Sequence, residues 1–246
     1  MRLGIMQPYF FPNLAHFALI ASVDRWIVFD VTQYTPKSWM NRNRVLHPVT
    51  GWNYISVGLK RSSTSITTKQ AVVDSLNKSH QTVLGKLSHY RSTAPFYKEV
   101  IGLVNDTFNS LISDSLVELN VSTLKHTCQY LDISFDYEVC SQLNLEFDNV
   151  PDAGQWAPII CQKLGANEYL NPIGGAELFS LDDFTSRGVE LYFAEVVPFT
   201  YSTKHYEYQQ HLSILDVLMW NSPLKIRNAI CTSCNLTKAS ELHAKN

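Results

Sequence analysis

The sequence has no surplus of basic charge. Its 20 lysines and arginines stand against 22 aspartates and glutamates, a net of −2, so the positive footprint of a phosphate-backbone binder is missing and nucleic acid is not expected as the main partner. Long apolar runs are missing too. The stretch from Ile214 to Trp220 contains Asp216 and falls far short of the roughly 20 residues that span a bilayer, so no membrane span is expected. Near the start, Gln7, Pro8, Pro12 and Asn13 interrupt any apolar signal core and no small-residue cleavage site follows; the expected location is cytoplasmic. Cysteine is sparse and odd in number: Cys128, Cys140, Cys161, Cys231 and Cys234 suit reduced thiols better than a disulfide framework. Only Cys231 and Cys234 form a CxxC pair, without the partners a zinc site needs. P-loop, GxSxG and Cys-triad motifs are absent, which gives a covalent acyl-enzyme little support.

What is present is a large stock of core-forming residues. With 45% hydrophobic side chains in 246 residues, the chain can bury a sizeable core without cross-links, and disordered and low-complexity classes are excluded. Leu3 to Met6 and Trp26 to Phe29 are short continuous apolar runs, and between them Leu14, Phe17, Ala18 and Ala21 share a helical face. Two buried strands joined by a helix predict a right-handed βαβ unit. Thr82 to Tyr90, Phe96 to Val117 and Asn120 to Leu131 have helical spacing. Further strands are expected over Tyr54 to Leu59, Ile133 to Val139, Glu168 to Leu170 and Gly188 to Phe193, with helices over Trp156 to Leu164 and Ser213 to Trp220 and a fraying tail after Thr237. The predicted fold class is α/β, a parallel-sheet Rossmann-like core with a mainly helical middle insertion: 1–74 N-terminal α/β part, 75–131 helical insertion, 132–246 C-terminal α/β part completing one domain.

The segment GIMQPYFFPNLAHFALI places Gln7, Tyr9 and His16 where a strand ends and a helix begins, a position that favours an anion. Phe10-x-Pro12-x-x-x-His16 also resembles part of the triphosphate-holding pattern of HIGH-motif nucleotidyltransferases. The alternative is that His16 is an ordinary polar residue on the first turn of an amphipathic helix. Asp30 to Arg44 reads as a long loop after the second strand, at the sheet end where ligands collect. Arg42 offers a donor fork for carboxylate or phosphate, Gln33, Asn41 and Asn43 suit sugar hydroxyls or an amide, and Tyr34 and Trp39 offer flat platforms. Asp30 is the candidate general base, its alternative being a turn residue paired with Arg42 or Arg44. Asp216 lies either on a wet helix edge or beside a buried cation. The run of His205, Tyr206, Tyr208 and His211 reads as a lid, a binding loop or a solvated surface loop.

MRLGIMQPYFFPNLAHFALIASVDRWIVFD, VTQY, SWMNRNRVL, TAPFY and the late Ser213-Ile214-Leu215-Asp216 together resemble the WbqC-like proteins of bacterial surface-polysaccharide gene clusters, over residues 1 to about 222. Gln7, Pro8, Tyr9, Pro12, Asp30, Gln33, Tyr34, Trp39, Asn41, Arg42 and Asn43 stand at matching positions. The family commonly has a Pro-Tyr-Leu-Gly-Tyr stretch where Asn13 to His16 stand, which takes His16 outside its pattern. The resemblance implies a role in decorating O-antigen or related sugars, with transfer of glycine or a similar acyl group to the glycan or its nucleotide-linked precursor. The expected enzyme is an N-acyl or aminoacyl transferase, with Asp30, His16 and Arg42 catalytic and Gln7, Tyr9, Gln33, Tyr34, Trp39, Asn41, Asn43 and Asp216 binding substrate. Its donor is an acyl carrier protein, coenzyme A or an ATP-derived adenylate. A non-catalytic carbohydrate or nucleotide-sugar binder and an ATP-using nucleotidyltransferase are the alternatives.

Overall fold

The computed structural model describes residues 1–147 and 150–243. β1 (Arg2–Met6) leads through α1 (Leu14–Ile20) to β2 (Arg25–Val28), and the strands pair in parallel with Leu3 opposite Arg25 and Met6 opposite Val28. β3 (Arg42–Leu46) and β4 (Trp52–Ser56) form a separate antiparallel hairpin. α2 (Leu76–Leu87), α3 (Tyr97–Asn109) and α4 (Leu116–Tyr130) follow. Then come β5 (Tyr137–Val139), α5 (Trp156–Lys163), β6 (Glu168–Pro172), α6 (Leu181–Thr185) and β7 (Glu190–Val196). The chain continues through α7 (Ile214–Trp220), α8 (Pro223–Thr232), β8 (Cys234–Lys238) and α9 (Ala239–His243).

The main sheet has the order β5-β2-β1-β6-β7-β8, parallel except for the last pair. From β1 the chain first builds outward through β2 to β5, then returns to the other side of β1 for β6. Strand order therefore reverses between β1 and β6, and the crevice outside the carboxyl ends of those strands is where a doubly wound sheet takes ligands. The Rossmann-like α/β core is thus as the alternating pattern predicts.

Both sheet faces are covered, which is why the strands read as continuous apolar runs. Leu3, Ile5, Ile27, Leu191 and Phe193 face a cluster completed by α5 and α6. Their neighbours Trp26, Val28, Leu170 and Ala194 face the opposite way, into a larger cluster with α1, the helices α2 to α4, α7 and α8. Gly4 belongs to that side of β1. A Cβ there would stand 2.7 Å from the Trp26 ring, so only glycine lets the indole lie across the strand.

Several predicted bounds shift. Phe96 to Val117 is not one helix: α3 stops at Asn109 and the Ser115 Oγ accepts the Glu118 N–H at 3.3 Å to start α4. The loop after β2 ends at Asn41, because Arg42 to Leu46 pair with β4. The tail does not fray at Thr237; β8 completes the sheet against β7 and α9 follows up to His243, while residues 244–246 lie outside the described ones.

Candidate functional site

The turn between β1 and α1 is locked by residues far away in sequence. Asn120, fully buried in α4, donates from Nδ2 to the carbonyls of Pro8 and Met40, both at 2.8 Å. Asn43 donates from Nδ2 to the carbonyls of Phe10 at 3.1 Å and Phe11 at 2.9 Å, and its Oδ1 accepts the Arg44 N–H at 2.8 Å. The Ser213 hydroxyl donates to the Phe11 carbonyl at 2.7 Å, and the Ile214 N–H to the Pro12 carbonyl at 2.8 Å. Between these clamps Phe11 holds a left-handed φ of 38°, which costs a bulky residue energy and persists only where surroundings enforce it. The adjoining backbone, the Phe10 N–H to the Trp39 carbonyl at 2.8 Å, ties the turn to the loop after β2.

The locked turn forms one wall of a cavity of about 410 Å³ at the strand-order reversal. Met6 ends β1, Pro172 ends β6 and Ile173 follows it, and Ala194 and Val196 lie at the end of β7 in its wall; Tyr9, His16, Trp39, Asn43, Arg44 and His211 supply its chemistry. His16 is 4% exposed, its ring edge-on to Trp26 at 4.9 Å and near Tyr9 at 5.6 Å. Burial without a counter-charge lowers its pKa to about 3, so the imidazole is neutral at physiological pH, and its Nε2 has no protein partner. Burial likewise raises the pKa of Tyr9. The Arg44 guanidinium lies 5.3 Å from the Trp39 ring centroid and 5.1 Å from that of Trp52, two side chains each 40% exposed, and donates to the His211 carbonyl at 3.4 Å. The rim is therefore a cation between two open aromatic faces.

The WbqC-like protein family pattern matches residues 7–228, which includes the turn, the hairpin and α7. The chain belongs to that family. This WbqC-like protein is also 26% identical over 179 residues to an uncharacterized protein of Mycobacterium tuberculosis, covering 69% of this chain and 71% of that one. No solved structure matches it.

Of the residues singled out in the sequence, Tyr9, Pro12, His16, Trp39, Asn43 and His211 meet at the cavity of this WbqC-like protein, whereas Gln7, Asp30, Gln33, Tyr34, Asn41, Arg42 and Asp216 do not line it. Gln7 is half-buried just past β1 and is not among the lining residues. Asp30 is 1% exposed and accepts the Ser141 N–H at 2.9 Å and its hydroxyl at 2.6 Å; it lines a different cavity, of about 450 Å³, with Lys69, Glu118 and Gln142. Asp30, expected as the base of the same site, instead stands two residues past β2 and meets Ser141 after β5, on the far side of β2 from β1 and apart from Tyr9 and Trp39. Its bonds go to Ser141 and not to Arg42 or Arg44. Arg42 stacks on Tyr54 across the hairpin at 4.3 Å. Tyr34 is fully buried in the core, Gln33 donates to the Thr64 carbonyl, and Asn41 donates to the Val57 carbonyl at 3.1 Å.

Asp216 is neither on a wet edge nor beside a cation. It is fully buried, accepting the hydroxyls of Tyr90 and Tyr201 (2.6 Å for Tyr201) and the Leu46 N–H at 3.4 Å; burial raises its pKa. Sequence reading missed Arg44 as a lining residue and passed over Asn13. Arg44 alternates with Asn43 and Val45 along β3, and that period would have placed it on the open face once Val45 was assigned to the core. Of the polar aromatic run, His211 lines the cavity and Tyr208 a groove beside it. The buried Cys128, Cys140 and Cys161 have thiols pushed up to about 12, which makes them inert packing residues.

Proposed function

We propose that this WbqC-like protein is an N-acyl or aminoacyl transferase that forms an amide on an amino sugar or nucleotide-linked sugar used in bacterial surface polysaccharide. The reading rests above all on the neutral, unpartnered imidazole of His16 in the wall of the cavity at the strand-order reversal. In the reaction the neutral amine of the sugar attacks the donor's acyl carbon; the C–N bond forms, the bond from acyl carbon to carrier breaks, and the amine's proton leaves with the carrier atom. A group with a pKa near 3 is a poor base at neutral pH, whereas a neutral imidazole N–H is well suited to hydrogen-bond the oxyanion that develops on the acyl oxygen. His16 takes that role, Trp39 the sugar platform and Arg44 the phosphate or carboxylate of a substrate. The donor's carrier is an acyl carrier protein, coenzyme A or an adenylate.

The exposed Trp39 and Trp52 around Arg44 also favour a second reading, a carbohydrate or nucleotide-sugar binder without catalysis. Incubation with nucleoside-diphosphate amino sugars and each donor class, followed by mass spectrometry, separates the two. The expected outcome is an amide product whose formation falls by about a hundredfold in His16→Leu, the scale of one lost oxyanion donor, while sugar binding is kept. Sugar binding with no product from any donor overturns the transferase reading in favour of the binder, and pyrophosphate release from ATP alone overturns it in favour of the nucleotidyltransferase.

A further inference from the structure

Beside the cavity lies a groove that shares Asn13, Ala15, Val196 and His211 with it and is otherwise walled by aromatic and aliphatic side chains together with Gln209 and Gln210. It is small, about 60 Å³. Three of its rings stand close together: Tyr201 and Tyr208 edge-to-face at 5.3 Å and 87°, Phe199 and Tyr201 at 5.7 Å and 30°. The Tyr208 hydroxyl donates to the Phe199 carbonyl at 3.0 Å, which fixes the segment in this arrangement. Directly behind the Tyr201 ring is Asp216, reached through the Tyr201 hydroxyl at 2.6 Å.

The carboxylate has no cationic partner: none of the ion pairs among the described residues involves Asp216. A lone buried carboxylate is costly, and hydrogen bonds from two phenols and one amide offset only part of that. An aromatic pocket backed by a negative group is the arrangement that attracts a positive one, since ring faces carry negative charge density. The chain supplies an instance of its own, the Lys225 ammonium over one of these rings, 5.6 Å from the Phe199 centroid.

We infer that the groove lined by Phe199, Tyr201 and Tyr208 is a subsite for a small organic ammonium group, held by the aromatic rings and by the Asp216 carboxylate behind Tyr201. The size of the groove limits the ligand's head to a few heavy atoms, and four residues of its wall also line the cavity that holds His16. Assigning the ammonium to the group being transferred, as in an aminoacyl donor, rests on the transferase reading above; the subsite itself does not.

The test is a binding measurement on the full chain, following the ring signals of isotope-labelled tyrosines by NMR while methylammonium chloride is added at constant ionic strength. Methanol, the neutral molecule of the same size, is the control. Expected are saturable shifts of the Tyr201 and Tyr208 signals with methylammonium and none with methanol. Affinity falls at least about tenfold in Asp216→Asn and several-fold in Tyr208→Ala, in keeping with loss of a charge and of one cage wall. Equal response to methanol, or wild-type affinity in the variants, overturns the subsite; should Asp216→Asn fail to fold, the half-buried Tyr208→Ala decides alone. A protein that binds methylammonium here yet transfers nothing loses the transferase reading and keeps the subsite, and a transferase that ignores methylammonium does the reverse.

Discussion

His16 and Asp216 are buried ionisable groups with opposite effects on stability. For His16 the folded pKa of about 3 lies below the ordinary value of 6.5. Below pH 6.5 the unfolded chain therefore takes up a proton that the native state refuses, so stability held above that pH drains away as pH falls toward 3, by at most roughly 4–5 kcal/mol. Urea unfolding of wild type and His16→Leu at pH 7.5 and 4.5 checks this: the wild type is expected to lose more stability over that interval. A parallel loss in both proteins would place the acid sensitivity elsewhere. Asp216 runs the other way. Its folded pKa is raised above 3.8, so the native state holds its proton longer, and its contribution is greatest below pH 3.8 and lost as pH rises through the folded value. Asp216→Asn is expected to remove that alkaline-side decline, read from the same unfolding curves. Neither effect was legible from residue type alone. A histidine in a first helical turn looks wet until Tyr9, Trp26 and Phe17 are known to close around it, and the aspartate in Ile214 to Trp220 announced its oddity but not its phenolic partners.

At the scale of elements, the βαβ start, α5, α7 and the parallel strands were readable because two-sided burial writes continuous apolar runs and Ser213 caps a helix. β3 and β8 were not readable. Arg42 to Leu46 and Cys234 to Lys238 carry too few apolar residues, and their pairing is set by a hairpin in one case and by the edge of β7 in the other. The residues that resembled a binding set in the loop after β2 turn out largely to be fasteners, since a buried amide satisfies backbone carbonyls as readily as it would a sugar. Asn43→Ala is accordingly expected to cost about 1–2 kcal/mol, leaving the Phe10 carbonyl unpaired and the Phe11 carbonyl with Ser213 as its side-chain donor, and a melting temperature within a degree of wild type would contradict that. Gly4→Ala drives a methyl into the Trp26 ring on which His16 rests. A loss of about 1–3 kcal/mol is expected, with altered Trp fluorescence, because that ring has no free space to move into.

For the whole molecule, the order β5-β2-β1-β6-β7-β8 divides the carboxyl edge into two chambers, one at the reversal and one beyond β2. That division separates two effects that a sequence reader would merge. Arg44→Ala is expected to weaken nucleotide-sugar binding at least tenfold with little change in melting temperature, whereas Asp30→Asn is expected to lower the melting temperature by a few degrees through its Ser141 bonds and leave binding intact. The reverse pattern would move the site to the second chamber. The fastening of Phe11 also bears on how the protein comes into being. Its carbonyl waits for Asn43, 32 residues on, and for Ser213, 202 residues on, and its N–H reaches Thr123 at 3.4 Å. A ribosome that has released only the first βαβ unit has released a local structure able to form early, yet the turn at its tip stays unlatched until α7 arrives. Ligand recognition is therefore acquired late in synthesis, and refolding monitored by ligand binding should lag behind refolding monitored by helix content.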